Sequence, residues 1–411
     1  MFEFIDMAIN EATIPLSGAY IPDAAECLRC GMCVSVCPTF RLQPVNEETP
    51  RSRLRTISNV LQENQTISDE QRQHLDNCLQ CRACEVICPS KMAYGQLFDQ
   101  TQAALKKTTV WPARLGFWLI ANKSWRLRLL PLLSFYLKSG LQKPLRHSGL
   151  LKKLHLAEAE ALLAKPALGP LASCYPNSGK MRGQVALFTG CLSEAFDRAT
   201  LQAAITLLNA MGYTVIIPPQ QSCCGAIHQH NGQNAAHLIA NNLKVFNALS
   251  VDAVLYTATG CGAMLSEYQS DTSAEAVQFK NRIQDINAFL LQHWPDNLQL
   301  QASAQKVAVH EPCSQRNVLK NQHTVYALLQ KIPDLDVTPL ADNALCCGAG
   351  GSYLLSHPDN AAQLRALKHE AMHNAESEVI VSSNYGCAMF IQTDTLSVVH
   401  PLVLLARQLP G

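Results

Sequence analysis

The chain has few charged side chains and, over one long stretch, no acidic ones. Only 16% of its residues are charged, whereas about a quarter are charged in an average soluble domain. The net charge of +1 gives no overall attraction for nucleic acid or other polyanions. Between Gln100 and Ala157 there is neither Asp nor Glu, although eleven Lys and Arg residues lie there. We therefore expect no nucleic-acid partner, and we expect protein partners to cover part of the surface.

Signals for export and for membrane spanning are also lacking. Residues 1–16 carry acidic side chains and have no basic segment followed by an apolar one, so they do not read as a secretory signal. The longest apolar runs of the basic stretch, LGFWLIA and LLPLLSFYL, fall short of the about 20 apolar residues that span a bilayer. We expect a cytoplasmic protein. Thiols stay reduced there, so 17 cysteines suggest metal binding rather than disulfides.

No catalytic group of its own is evident in the sequence. No Ser-His-Asp or paired-carboxylate pattern stands out, and the usual glycine-rich strand-to-helix signature for a nucleotide is missing. The stretch Gly348-Ala349-Gly350-Gly351 follows a Cys-Cys pair and reads better as a loop around a metal centre. Any removal of hydride from a substrate is therefore expected on a partner protein.

Two cysteine runs share the pattern C-x2-C-x2-C-x3-C-P. In such a run three thiolates bind one [4Fe–4S] cluster, and the fourth crosses to a second cluster. Zinc ribbons use separated cysteine pairs instead, which disfavours zinc here. The predicted ligands are Cys27, Cys30, Cys33 and Cys88 for the first cluster, and Cys78, Cys81, Cys84 and Cys37 for the second.

Helical patterns between the two runs predict a mainly α-helical, two-cluster ferredoxin-like domain over residues 1–105. One predicted helix covers 51–62 and follows Thr49-Pro50, and the other covers 69–75 and follows Ser68. Side chains of the first helix lie close to the first cysteine run and would offset the charge of reduced clusters. A solvated helix face is an equally good interpretation. The side chains concerned are Arg51, Arg53 and Arg55.

The basic stretch forms a linker or docking segment, residues 106–180. Its tryptophans recur every seven residues, which places them along one side of a helix. A basic amphipathic stretch with an aromatic stripe is typical of contact with an anionic membrane surface, and it also suits an acidic partner. A linker whose aromatics pack on neighbouring domains is the alternative. The predicted contact residues are Trp111, Arg114, Trp118, Trp125, Arg126 and Arg128.

The remaining sequence is an internal repeat that predicts a tandem pair of α/β units, residues 181–300 and 301–411. Apolar runs such as VALFTGC and VAVHEPC read as buried strands, and helical patterns follow over 194–211 and 317–332. Equivalent cysteines of the two copies lie 122, 123 and 126 residues apart. So regular an offset indicates a duplication.

In both copies the cysteines come just after predicted strands, where open α/β sheets gather ligands. We therefore expect two further metal sites, which hold an additional iron-sulfur cluster or zinc, and His310 can add a ligand to the second. Small buried hydrophobes or transient disulfides are the alternative. The two sets are Cys191, Cys223, Cys224 and Cys261, and Cys313, Cys346, Cys347 and Cys387.

The pattern of the repeat resembles the CCG domain of heterodisulfide reductases, and the whole chain resembles the family of glycolate oxidase iron-sulfur subunits. The resemblance is carried by CLRCGMCVSVCPTF, HLDNCLQCRACEVICPS and CCGAGGSYLLSHPD. It implies two [4Fe–4S] clusters that pass electrons from an FAD-binding glycolate oxidase subunit, beside a second flavoprotein-like subunit. It also implies delivery toward quinone, with peripheral contact at the cytoplasmic face of the inner membrane.

The same modules leave other functions open. Related subunits serve D-lactate and glycerol-3-phosphate dehydrogenation, and heterodisulfide reductases split disulfides at their CCG sites. Disulfide-reducing members carry a fifth cysteine per unit, whereas this chain has Met264 after Cys261 and Phe390 after Cys387. That departure speaks against disulfide reduction. It leaves a cube, zinc or an empty thiol site open for each unit.

Overall fold

The computed structural model describes residues 30–63, 65–105, 110–268 and 273–410. Cys27, a predicted cluster ligand, therefore lies outside the described residues. From residue 30 to 105 the described chain contains helices and no strand. These helices are Met32–Ser35, Pro38–Leu42, Pro50–Leu61, Asp69–Asp76, Ala83–Ile87 and Tyr94–Ala104, with a 3₁₀ turn at Asn46–Glu48.

The two helices predicted between the cysteine runs are present, and both begin at the expected caps. The Thr49 hydroxyl accepts a hydrogen bond from the backbone N–H of Ser52, and Pro50 occupies the first helical position. Ser68 and Gln71 form a reciprocal capping box at the second helix. The helices bury Ile57 and Leu75 in a small apolar core.

The basic segment does not form one continuous helix, so the predicted stripe on a single helix is wrong. The first helix ends at Asn122, which has non-helical dihedral angles and donates its side-chain N–H to the Trp118 carbonyl. The Trp118 and Trp125 rings still lie 5.8 Å apart across this break. The helices of the segment are Trp111–Ala121, Lys123–Lys138, Gln142–His147, Leu150–Lys153 and Ala157–Ala161.

Two parallel sheets follow, and their strand orders agree. The first has the order β1-β3-β2-β4-β5, in which only β1 is antiparallel to its neighbour, and the second has the order β7-β6-β8-β9. Strands β2 to β5 thus repeat as β6 to β9, as a duplication predicts. The strands are β1 Cys174–Tyr175, β2 Gly183–Phe188, β3 Tyr213–Ile216, β4 Ala253–Tyr256, β5 Ile283–Asp285, β6 Lys306–His310, β7 Asp336–Pro339, β8 Val379–Ser382 and β9 Val398–Val399.

The helices of this region are more broken than the sequence predicts. The helix expected over 194–211 is interrupted at Asp197. The helix expected over 317–332 begins instead as a π-helix and breaks at Lys320, which adopts a left-handed conformation. The helices are Ser193–Phe196, Arg198–Ala210, Ala226–His230, Ala236–Asn247, Thr259–Glu267, Ala274–Lys280, Ile286–His293, Ser314–Leu319 (π), His323–Leu329, Tyr353–Ser356, Pro358–Asn374, Tyr385–Ile391 and Pro401–Arg407.

The two sheets share one apolar core. Val185 and Leu187 of β2 belong to the same buried cluster as Val307 and Val309 of β6. The helices Arg198–Ala210 and Pro401–Arg407 pack together within it. Runs of fully buried apolar residues are what parallel strands covered on both faces require. The proposed unit boundary at residue 300 stays a prediction, because side chains on either side of it form a common interior.

Candidate metal centres

The two cysteine runs fold alike over their described residues. The residue after the second cysteine of each run, Gly31 or Arg82, has a left-handed backbone with φ of 74° or 57°. A short helix then carries the third cysteine. Arg82 is the unusual case, because left-handed dihedral angles disfavour residues with a side chain. Its buried guanidinium forms an ion pair with Glu267, which offsets this cost.

The last cysteine of the first run lies among the cysteines of the second run. Burial raises the pKa of Cys78 and of Cys84, and Cys37 is close enough to raise both further. Cys81 belongs to the same group. Burial and Cys313 raise its pKa most, and Cys84 and Cys78 raise it further. A crossing fourth ligand is what the doubled cysteine run requires. The residues present therefore fit the second cluster, while the ligand assignment itself stays a prediction.

The first cluster site is closer to solvent. Cys30 is exposed, and Cys33 and Cys88 are partly exposed. At the second site Cys37 is buried, and Cys78, Cys81 and Cys84 are partly exposed like Cys33 and Cys88. The two predicted cluster sites therefore differ in their access to a partner.

Arg53 is a buried cation beside the second site. The Arg53 guanidinium donates to Thr39 Oγ1 at 2.9 Å, pairs with Glu48 and lies 3.6 Å from Cys37 Sγ. Burial acts to lower its pKa, but Cys78 and the other neighbouring anionic groups together raise it, so it stays charged. Of the three arginines suggested to offset cluster charge, only Arg53 is buried near a site, because Arg51 and Arg55 are exposed.

The first cysteine quartet gathers at the carboxyl ends of β2, β3 and β4. Cys191 follows β2, Cys223 and Cys224 follow β3, and Cys261 lies in the helix after β4. The Sγ atoms of Cys223 and Cys191 are 3.5 Å apart. Gly190 has a φ of 71°, and a Cβ there would meet Cys261 Sγ at 3.4 Å. The predicted convergence of this quartet is therefore present.

The second quartet gathers in the same way after β6, β7 and β8. Ligand atoms of His310, Cys347 and Cys387 lie within 4.8 Å of one another, and all three residues are buried. Burial lowers the pKa of His310 to about 3, so its ring is neutral. Burial also lowers the pKa of Lys368, and the nearby cysteines oppose this shift.

One cavity of about 260 Å³ connects the sites, and cysteines of both quartets line it together with Cys78. Residues of the helical domain form part of the wall of this cavity. Asn317 donates to the Cys81 carbonyl at 2.7 Å, and the Tyr353 hydroxyl donates to Asn77 Oδ1 at 2.6 Å. After burial, Cys313 is the strongest influence that raises the pKa of Cys81. The second cluster site therefore borders the second quartet.

One contact between the helical domain and the first α/β unit could not be predicted from the sequence. Asp99 of the helical domain lies 2.9 Å from Nδ1 of His230, which belongs to the first α/β unit. Burial alone would raise the pKa of Asp99, but His230 and Gln229 lower it. These partners are 131 residues apart in the chain, so no local pattern indicates their pairing.

Most of the predicted contact residues form an exposed surface. The side chains of Trp111, Trp118 and Trp125 are 53%, 43% and 48% exposed, and Arg114 and Arg128 are exposed beside them. The prediction for Arg126 is wrong. It is buried and donates to the carbonyls of Leu119 and Ile120, because it caps the end of the preceding helix. No helix of the described chain combines the length and the apolar character needed to cross a membrane.

Comparison with known proteins agrees with this arrangement. A 4Fe-4S dicluster domain matches residues 23–92, and a cysteine-rich domain, CCG, matches residues 185–266 and 307–392. The probable glycolate oxidase iron-sulfur subunit of Bacillus subtilis is 31% identical over 88% of this chain and 87% of its own length. The glycolate oxidase iron-sulfur subunit of Escherichia coli is 30% identical, with 88% of each chain covered.

More distant relatives share parts of the chain. Lactate utilization protein A of Shouchella clausii is 23% identical over 50% of this chain and 89% of its own. Among solved structures, a hypothetical protein from Helicobacter pylori matches with a TM-score of 0.47 and 11% identity, over 91% of this chain and 75% of that one. That structural likeness is too low to bear on function.

Proposed function

This chain belongs to the family of glycolate oxidase iron-sulfur subunits, and we propose that it relays electrons within a complex that oxidises a 2-hydroxy acid. The carrying observation is the position of Cys37 beside Cys78 and Cys84, as two clusters held by interleaved runs require. When bound, [4Fe–4S] clusters accept and release single electrons, and a flavin can give up the two electrons of a hydride one at a time. The chain thus supplies the carriers and a partner supplies the flavin.

The exposure of the cysteines supports a direction for the relay. Cys30 faces solvent, and the apolar side chains of Met32 and Val86 near it are 46% and 51% exposed. Cys81, at the other site, is held against the second α/β unit by Asn317. We therefore place the flavoprotein contact at the Cys30 end and the onward path at the Cys81 end.

The partners follow from the family and from what this chain lacks. The FAD-binding glycolate oxidase subunit would oxidise the substrate, a second flavoprotein-like subunit would complete the complex, and quinone would be the final acceptor. The sequence offers no dinucleotide signature and no catalytic triad, so the oxidation is assigned to the partner. In this proposal the complex works at the cytoplasmic face of the inner membrane.

Glycolate is the substrate favoured by the two relatives that cover most of the chain. Lactate is the second candidate, because relatives named for lactate utilization match half of the chain. To decide between them, the complex is copurified from its native host, and its rates of oxidation of glycolate and of D-lactate are compared. Disulfide reduction is disfavoured, since buried Met264 and Phe390 occupy the positions of the missing cysteines.

The relay is tested by removing one ligand from each site. Cys30→Ala and Cys81→Ala should each lower the iron content by about four per chain, because each cube holds four irons. Each should stop reduction of a quinone analogue while the substrate still reduces the partner's flavin. Cys174→Ala is the matched control, since this exposed cysteine lies in β1, away from the quartets.

The variants are purified anaerobically. Their iron content is measured, and the electron paramagnetic resonance signal of the clusters is recorded after reduction with dithionite. Loss of one signal with loss of quinone reduction supports the proposal. Full turnover in either ligand variant would contradict it, and so would equal damage in the control.

A further inference from the structure

The two α/β units differ in the residues beneath their cysteines. In the first sheet Phe188 pairs with Tyr256 at the ends of the strands that precede Cys191 and Cys261. In the second sheet the corresponding pair is His310 and Ser382. Two apolar or aromatic positions of the first unit are therefore polar in the second, although the surrounding topology is the same.

A third difference lies on the helix that packs against the quartet. Asn242 and Lys368 each come seven residues after the alanine that touches the glycine of the Cys-Cys-Gly turn, Ala235 or Ala361. Asn242 is neutral, and its side chain donates to the Cys223 carbonyl at 2.9 Å. Lys368 has no exposed surface and donates to the Asp342 carbonyl. At this helix position the second quartet thus has a buried lysine where the first has an amide. The buried cation near Cys191 of the first quartet, Arg126, comes from the basic segment instead.

The His310 ring is held in a position that suits a ligand. Its Nδ1 lies 3.1 Å from the Ser382 hydroxyl, which is buried with it. A hydrogen bond to one ring nitrogen fixes the orientation of a metal-binding imidazole and leaves the other nitrogen for the ion. Phe188 has no such capacity, so this donor is confined to the second unit.

We propose that the second α/β unit binds one Zn²⁺ ion through His310, Cys347 and Cys387. The fourth ligand is Cys313 or Cys346, whose thiols adjoin Cys347. In a tetrahedral zinc site with Zn–S of about 2.3 Å and Zn–N of about 2.0 Å, neighbouring ligand atoms lie about 3.5–3.8 Å apart. The three donor atoms, already within 4.8 Å of one another, need to close only slightly.

The charges of the site agree with this ion. Zn²⁺ with three thiolates and one neutral imidazole carries one negative charge, and Lys368 is a basic side chain buried beside this quartet. The thiolates of a cube bind four different irons and stand farther apart than ligands of a single ion. Zn²⁺ has no redox chemistry, so this site would fix the loops beside Cys81.

Zinc and iron per chain, measured on anaerobically purified full-length protein, test the proposal. We expect about one zinc in the unsubstituted protein and in Cys261→Ser, the matched change in the first unit. We expect less than a tenth of this zinc in Cys387→Ser and in His310→Phe, which installs the residue of the first unit. Serine variants of Cys313 and Cys346 identify the fourth ligand.

Two further measurements keep the test decisive if His310→Phe folds poorly. Ser382→Ala keeps every ligand and should weaken zinc binding about 10- to 100-fold in competition with a chelator, as loss of a ligand's hydrogen-bond partner does. Co²⁺ in place of Zn²⁺ should give the absorption of a tetrahedral thiolate site. A zinc-free protein, iron in place of zinc at Cys387, or full zinc retention in the Cys387 variant would overturn the proposal.

Discussion

Arg53 shows how a single side chain can serve both the fold and the charge of a site. Its guanidinium and the Glu48 carboxylate are 2% and 1% exposed, and they form a buried ion pair. Glu48 also contacts Nδ1 of His74 at 2.6 Å. Glu48 also accepts from Asn77 Nδ2 at 2.9 Å, which ties the pair to the second cysteine run. The pair therefore fixes the loop that carries Cys37.

We expect Arg53→Met to lower the free energy of unfolding by about 3–5 kcal/mol, because buried Glu48 loses its permanent cation and keeps only His74 and Asn77 as partners. Arg55→Met is the control on the same helix, and this exposed position should change stability by about 0.5 kcal/mol or less. Anaerobic denaturant unfolding of both variants measures the difference. Equal stabilities would show that the buried pair has no role in the fold.

The grouping of the cysteines is the feature of the sites that the sequence predicts best, because their spacing along the chain is itself the signal. Their role as cluster ligands stays a prediction. The two quartets that meet after separate strands were also predictable, since strand ends collect on one edge of a parallel sheet. Arg82 with Glu267 and Asp99 with His230 were not predictable. Each pair joins distant segments, and its members have ordinary neighbours in the sequence.

Among the elements, the helices of the basic segment depart most from expectation. The seven-residue spacing of the tryptophans was interpreted as a single helix, but Asn122 ends one helix and begins another. The spacing predicts which side chains lie on the same side of the segment. This part of the prediction is confirmed for Trp118 and Trp125, whose rings are in contact. The spacing does not predict the break between the two helices, because that break depends on the local backbone geometry of one residue.

We propose that this segment lies on an anionic membrane surface, and the exposed cations allow a test. Arg114→Gln with Arg128→Gln should weaken binding to vesicles that contain anionic lipid by about tenfold or more, at about 1 kcal/mol per cation. Binding to vesicles of neutral lipid should be weak and unchanged. Arg51→Gln with Arg55→Gln removes two exposed cations elsewhere and is the control.

Vesicle cosedimentation of the full chain measures both pairs. If the two double variants bind equally well, or if the segment prefers neutral lipid, the membrane assignment fails. An acidic partner subunit would then be the better candidate for this surface.

At the scale of the whole molecule, the helical domain and the α/β units meet around one cavity, and the contact carries a titratable pair. Asp99 has a lowered pKa, since His230 and Gln229 outweigh burial, and His230 has a raised pKa, since Asp99 outweighs burial. The stabilisation from His230 is complete below its ordinary pKa of 6.5 and is lost as pH rises through its raised pKa. The stabilisation from Asp99 is present above its ordinary pKa of 3.8 and is lost as pH falls through its lowered pKa.

We therefore expect the contact to be strongest between about pH 4 and 6.5 and to weaken in alkaline solution. His230→Gln should lose the alkaline part of this dependence while it keeps a hydrogen bond to Asp99. Unfolding curves recorded from pH 6 to 9 compare the two proteins, with exposed His147→Gln as the control. Parallel pH profiles for His230→Gln and the unsubstituted protein would contradict the assignment.

The order of the domains and the duplication were visible in the sequence, whereas the common core was not. A helical pattern in a sequence shows that one face is apolar, but it does not show which neighbour covers that face. Leu201 and Leu405, far apart in the chain, lie in one buried cluster. Only the tertiary structure reveals that the two copies are packed into each other.

This sharing has a consequence for biosynthesis. The helix Pro401–Arg407 leaves the ribosome about 200 residues after the helix Arg198–Ala210 that it covers. At a translation rate of about 5–20 residues/s, the delay is about 10–40 s. Throughout that time Leu201 and its neighbours lack their final cover. The nascent first half therefore exposes this apolar surface until the second half has been translated.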